Sequence, residues 1–67
     1  MEAIIRALEE AVEAEANVTL FMTGGQHPRG RVAAVRHDHG VVEIENDYAH
    51  KATTIIRLDR IDAVILH

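Results

Sequence analysis

Residues 17–36, NVTLFMTGGQHPRGRVAAVR, decide the fold, because here the apolar side chains begin to recur at every second position. A period of two indicates β-strands. The first strand starts at 17 and is followed by the glycine pair at 24–25, which marks a turn. A second strand over 29–36 contains Gly30, and a glycine inside a strand is typical of a bulge or a tight bend. This stretch therefore predicts a sharply bent antiparallel hairpin.

The rest of the chain extends this hairpin into a larger β structure. Strands are predicted at 41–46, 52–57 and 61–66, because each range is rich in apolar and β-branched residues and is bounded by turn residues. The interval 58–60 is too short for a hairpin loop and predicts a single 3₁₀ turn. Residues 47–51 predict a polar loop.

A helix is predicted ahead of the strands, at about 2–15. Its apolar residues recur at helical spacing and form one stripe: Ile4, Ile5, Leu8, Ala11 and Val12. The opposite side is acidic, which does not fit a membrane-surface helix, since such helices carry Lys and Arg there. We expect the helix to be a lid on the strands. The predicted fold is mainly β: a helix, then a five-stranded, strongly bent antiparallel SH3-like barrel at about 17–66, in one domain.

Composition limits what such a chain can be. Sixty-seven residues without cysteine are near the lower limit for a stable core, and oligomerisation is one of the usual supports. The net charge of −4 lies entirely in residues 1–16, which hold five Glu and one Arg. The acidic start also predicts no secretory signal. The expected location is the cytoplasm, with no membrane contact.

The last two strands carry apolar residues on both faces: Ile55, Ile56, Val64, Ile65 and Leu66. An edge strand of a monomer is expected to be polar on one face. Either the helix covers the second face, or these residues form an interface with another copy. We favour the interface, because a chain this small gains stability from assembly.

Four stretches resemble the Sm-like (LSm/Hfq-like) family of small ring-forming barrels. They are the strand opening at Val18–Gly24, the glycine-marked strand at Gly30–Val35, the third strand at Val42–Asn46, and the segment IIRLDRIDAV at 55–64. The resemblance implies a homo-oligomeric ring, a hexamer or heptamer, that binds single-stranded RNA around a pore. The chain departs from the family pattern where it has Arg36 in place of Asp, and Leu58 in place of Gly.

The resemblance also implies RNA-binding residues. Arg57 matches the motif arginine, and a guanidinium stacks on bases or binds phosphate. The alternative is an ion pair with Asp59, with Asp62 or with a carboxylate of an adjacent copy. His37, Asp38 and His39 lie in the turn where the family reads bases, and an imidazole both stacks and hydrogen-bonds.

Other roles for this turn remain open. It is also compatible with an ordinary solvated turn or with two metal-ligating nitrogens. We expect no metal and no cofactor, because His-X-His at 37–39 lacks a third ligand at fixed spacing. We further expect the acidic helix to lie on the face opposite the RNA-binding turns.

Arg29 and Arg31 share one face of their strand. They either contact phosphates or form cross-strand ion pairs with Glu43 and Glu45, and the ion pairs are favoured.

Catalysis is not expected, since the chain has no cysteine, no glycine-rich phosphate loop and no nucleophile elbow. Two functions follow: an Sm-like ring subunit that binds single-stranded RNA, or an SH3-like structural or protein-interaction module without a nucleic-acid role.

Overall fold

The computed structural model describes residues 2–46 and 52–67. One helix precedes five strands. Their bounds are α1 Glu2–Ala14, β1 Asn17–Met22, β2 Arg29–Arg36, β3 Val41–Glu45, β4 Thr53–Arg57 and β5 Ile61–Leu66. A first 3₁₀ turn, His37–His39, joins β2 to β3, and a second 3₁₀ turn, Leu58–Arg60, joins β4 to β5. The predicted helix, the order of the strands and the turn at 58–60 are confirmed. The polar loop predicted at 47–51 lies outside the described residues.

The five strands form one antiparallel sheet in the order β4-β3-β2-β1-β5. Two register shifts interrupt it, one between Val32 and Ala34 where β2 faces β3, and one between Phe21 and Met22 where β1 faces β5. Such bulges bend a strand and increase its twist. Strands β4 and β5 end the sheet order, so each has one edge that no described strand pairs within this sheet. Closure of the sheet into a barrel stays a prediction.

Helix α1 packs on the sheet through its apolar stripe. Leu8 and Ala11 are completely buried, and Ile4, Ile5 and Val12 pack against the core with partial exposure. The helix ends where Glu15 takes a left-handed conformation, with φ of 51°. The Ala16 N–H then donates to the Ala11 carbonyl at 3.0 Å, the backbone arrangement that commonly ends helices. The predicted lid is confirmed.

Gly30 of β2 lies against the backbone of β3. A Cβ at this position would lie 2.5 Å from the Glu45 carbonyl oxygen and 2.9 Å from the Ile44 side chain. The bulge expected at this glycine lies instead at Val32–Ala34. Two physical reasons therefore favour glycine here: the close approach of a neighbouring backbone and a φ of 156°, which residues with a side chain rarely adopt.

The apolar residues of β4 and β5 divide between core and surface. Ile55, Ile65 and Leu66 are exposed by 58%, 45% and 40%, whereas Ile56 is 6% exposed and belongs to the core. Val64 is partly buried and packs against that core. Including Ile56 in the predicted interface was therefore wrong, because its side chain is already buried in the core of its own chain.

The register shows which face of the sheet the exposed residues occupy. Ile55 is paired with Glu43, next to the core pair Ile56–Val42. Ile65 is paired with Thr19, next to the pair of Val64 with the core residue Leu20. Since successive strand residues point to opposite faces, Ile55 and Ile65 lie away from the core, at the two ends of the sheet.

No helix among residues 2–46 and 52–67 has the length and apolar character needed to cross a membrane.

We predict that Leu8→Ala lowers the free energy of unfolding by about 3 kcal/mol, because it empties a fully buried site. Arg6→Ala, on the exposed side of the same helix, should change it by less than about 0.5 kcal/mol. Urea denaturation of both variants at one protein concentration measures the difference. Equal costs would show that the helix does not depend on this contact.

We predict that Gly30→Ala destabilises the protein by about 1–3 kcal/mol, because the added methyl group would overlap the backbone of β3. Gly24→Ala is the matched control, since its nearest neighbour is the flexible Gln26 side chain. Thermal unfolding of both variants tests the assignment. A Gly30→Ala variant as stable as Gly24→Ala would contradict the close approach.

Candidate nucleic-acid interface

The two 3₁₀ turns lie side by side, although they are distant from each other in the chain. Val41 at the start of β3 is paired with Arg57 at the end of β4. Next to this pair, the Leu58 N–H donates to the Gly40 carbonyl at 2.9 Å. The pairing of β3 with β4 therefore holds the first turn against the second.

A cleft of about 470 Å³ opens between these turns and the helix. Its lining consists of Ile5, His37, His39, Gly40, Arg57, Leu58 and Asp59. This volume lies within the ordinary range for small-ligand sites. Ile5 contributes an apolar wall from α1, and Leu58 is only 4% exposed because most of its side chain is part of the core. Three of the four residues assigned to RNA thus lie in one cleft.

Gly40 ends the first turn in the left-handed conformation, with φ of 68°. Its N–H donates to the His37 carbonyl at 3.1 Å. A residue with a side chain adopts this conformation at a cost that glycine avoids. Gly40 thereby lets the chain turn sharply from the 3₁₀ turn His37–His39 into β3.

Arg57 is held by a carboxylate of its own chain. Its Nη2 donates to Asp59 Oδ2 at 2.7 Å, and the two side chains are 64% and 53% exposed. The ion pair weighed above as the alternative role is therefore present, and its partner is Asp59. Exposed pairs of this kind contribute only about 0–1 kcal/mol, so a ligand is able to compete for either group.

His37 contacts the helix. Its Nε2 lies 2.8 Å from Glu9 Oε2, with both side chains about half exposed. The expectation that the acidic helix lies on the opposite face was therefore wrong. Helix α1 packs against β2, and the first turn directly follows β2, so this turn comes within reach of Glu9.

His39 lines the cleft, but Asp38 does not. Asp38 Oδ2 is 3.5 Å from His39 Nε2, and the Asp38 side chain is 81% exposed. Asp38 thus contacts His39 from outside the cleft and is largely exposed to solvent. Asp38 is the assigned residue that the structure leaves outside the cleft.

The basic residues of β2 pair across the sheet. Arg31 Nη2 donates to Glu45 Oε1 at 3.1 Å, as the cross-strand interpretation predicted. Glu43 instead accepts from Arg36 Nε, and this hydrogen bond and the negative charge of Glu43 together raise the pKa of the Arg36 guanidinium above its ordinary value. Arg29 makes no ion pair with a described residue. In the strand register it lies opposite Thr19 of β1.

Within the described ranges, no group of three or more His, Asp or Glu side chains is positioned to hold a metal ion. The expectation that the protein needs no metal stays a prediction.

No family model, curated protein or solved structure matches this chain. The Sm-like resemblance therefore depends on the stretches quoted above, and the function of the cleft has to be inferred from its own geometry.

Sequence reasoning did not assign Ile5, Gly40, Leu58 or Asp59 to the site, nor Glu9, which contacts His37 from the helix. The helical stripe placed Ile5 on the lid, but spacing within a helix does not indicate which turn of the sheet that residue meets. Glu9 falls on the polar side of α1, where nothing in the sequence distinguishes it from Glu10 or Glu13. Only the packing of the helix on the sheet selects it.

Proposed function

We propose that this chain is a subunit of an Sm-like homo-oligomeric ring that binds single-stranded RNA, with one binding cleft per subunit. The same family resemblance implies a hexamer or heptamer. A cytoplasmic location is part of the proposal, because a chain without cysteine fits a reducing compartment.

The observation that carries the RNA proposal is the convergence of His37, His39 and Arg57 on one cleft. The first two come from one turn and the third from another. Imidazole and guanidinium groups stack on bases and hydrogen-bond to base edges or phosphates. The apolar wall at Ile5 and Leu58 adds a surface against which a planar base packs. One cleft is small, but a ring repeats it, so weak contacts combine into avidity.

The ring proposal is supported by the two end strands of the sheet. The free edge of β4 carries exposed Ile55, and that of β5 carries exposed Ile65 and Leu66. Unpaired strand edges with apolar side chains favour pairing with another strand. A second copy supplies a β5 edge for each β4 edge, and repetition of this contact around a closed ring leaves no edge open.

The second candidate is a protein-interaction module without RNA. It is favoured by the pairing of Arg57 with Asp59 and of His37 with Glu9, which occupies these donors. It is also favoured by the absence of Phe, Tyr and Trp among the described residues that line the cleft. Single-stranded nucleic-acid sites commonly use aromatic stacking platforms. Phe21 lies elsewhere, edge-on to His27, and Tyr48 lies outside the described residues.

For the ring, we predict that Ile55→Asp and Ile65→Asp each dissociate the assembly, because each places a charge at an apolar edge. Ala3→Asp is the control, since it puts the same side chain at an exposed helical position. Light scattering coupled to size-exclusion chromatography, at micromolar concentration, gives the mass of each variant. A monomeric parent protein at that concentration would refute the ring. Circular dichroism establishes whether the dissociated variants remain folded.

For RNA, we predict binding of single-stranded oligonucleotides that weakens as salt increases, because phosphate neutralisation releases counterions. His39→Ala should weaken it by about 1–3 kcal/mol if the imidazole stacks on a base. Arg57→Ala should leave the slope of log affinity against log salt unchanged if Arg57 stays paired with Asp59, whereas a slope lower by about 0.7 would show that its guanidinium neutralises one phosphate. Fluorescence anisotropy with U-rich and A-rich oligonucleotides measures both.

The controls for RNA binding keep the same residue types outside the cleft. His27→Ala, in the β1–β2 connection, and Arg60→Ala, at the far end of the second turn, should leave affinity unchanged. Salt-independent anisotropy with every oligonucleotide would favour the protein-interaction module.

A further inference from the structure

The charges around the cleft do not suit a phosphate. Arg57 and Asp59 are the two formally charged side chains in its described lining, and their ion pair makes that sum zero. Next to the lining, Glu9 contacts one histidine and Asp38 the other, which adds negative charge. A neutral group that donates hydrogen bonds fits this environment better than an anion does.

Asp59 is the side chain in the cleft that is placed to accept hydrogen bonds from a neutral donor group. It lines the cleft, its side chain is 53% exposed, and Arg57 Nη2 contacts its Oδ2 at 2.7 Å. An ionised carboxylate accepts through both oxygens and has about four lone-pair sites. One hydrogen bond from Arg57 therefore orients the carboxylate and leaves most of its accepting capacity unused.

Among RNA bases, guanine offers the best match to a carboxylate. Its Watson–Crick edge carries two adjacent donors, the N1–H and the 2-amino group, which suit the two oxygens of one carboxylate. Adenine and cytosine present a donor next to an acceptor on that edge, and uracil presents one donor between two acceptors. Parallel pairs of hydrogen bonds to a carboxylate are both stronger and more specific than single ones.

We propose that the cleft binds a guanine base of single-stranded RNA, with Asp59 accepting from N1–H and the 2-amino group. Arg57 is the positioning residue that orients the carboxylate, and Ile5 and Leu58 form the apolar surface beside the base. This inference rests on the proposed function, since it names the base that the RNA cleft takes.

The test compares a hexauridylate with the same oligonucleotide carrying one guanine, which also avoids the quadruplexes that guanine runs form. The guanine oligonucleotide should bind at least about tenfold more tightly, as expected for a bidentate contact to a base edge. Replacing guanine by hypoxanthine removes the 2-amino group and should abolish most of the tenfold increase in affinity.

Asp59→Asn supplies the sharper readout. The amide replaces one acceptor oxygen with a donor, so the preference for guanine should disappear. The same change removes the negative partner of Arg57, so affinity for hexauridylate should stay equal or rise. An unfolded variant would instead lose both affinities. Asp62→Asn, whose carboxylate accepts from Thr23 away from the cleft lining, should keep the tenfold preference.

The outcomes distinguish failure of the guanine assignment from failure of the proposed RNA-binding function. Equal affinity of the parent protein for both oligonucleotides, or a guanine preference that survives Asp59→Asn, overturns the guanine assignment and leaves RNA binding in place. Failure to bind either oligonucleotide overturns the proposed function together with the inference.

Discussion

The burial of one small apolar core between helix α1 and the sheet is the constraint on which the rest of the structure depends. Ten of the described side chains form it, contributed by the helix, all five strands and the second 3₁₀ turn. Leu8 and Ala11 complete it from the helix, and both are fully buried. A chain of this length buries a smaller share of its surface than a larger domain does. The core therefore consists of few contacts, and the place at which the helix docks follows from them.

Docking of the helix also forms the cleft. The residues that fill the core from α1 bring Ile5 to the two 3₁₀ turns and Glu9 to His37. The turns themselves meet because β3 pairs with β4 up to Val41 and Arg57. Sheet pairing and helix packing thus act on the same small region from two sides. The shape of the cleft therefore depends on both the β3–β4 pairing and the packing of the helix on the core.

Polar and apolar side chains occupy different parts of the sheet. Ion pairs such as Arg31–Glu45 occupy its middle strands, where side chains from neighbouring strands are close enough to pair. Exposed Ile55 and Ile65 lie at its two ends, where no described strand pairs with the outer edge. Four acidic side chains lie on the helix, and one of them, Glu9, contacts His37 in the lining of the cleft. This arrangement separates the exposed apolar residues at the two ends of the sheet from the cleft beside the helix.

The sequence by itself determined the elements and their order. The period of two, the helical stripe and the glycines placed the strands to within one or two residues, because these are local properties of the backbone and of burial. The sequence also selected Arg57, His37 and His39, which the structure brings together. Tertiary structure decided the rest: that Asp59 and not Asp62 partners Arg57, that Ile56 is core and Ile55 surface, and that the helix shares a face with the turns. These outcomes depend on the curvature of the sheet and the docking angle of the helix, which spacing along a chain does not specify.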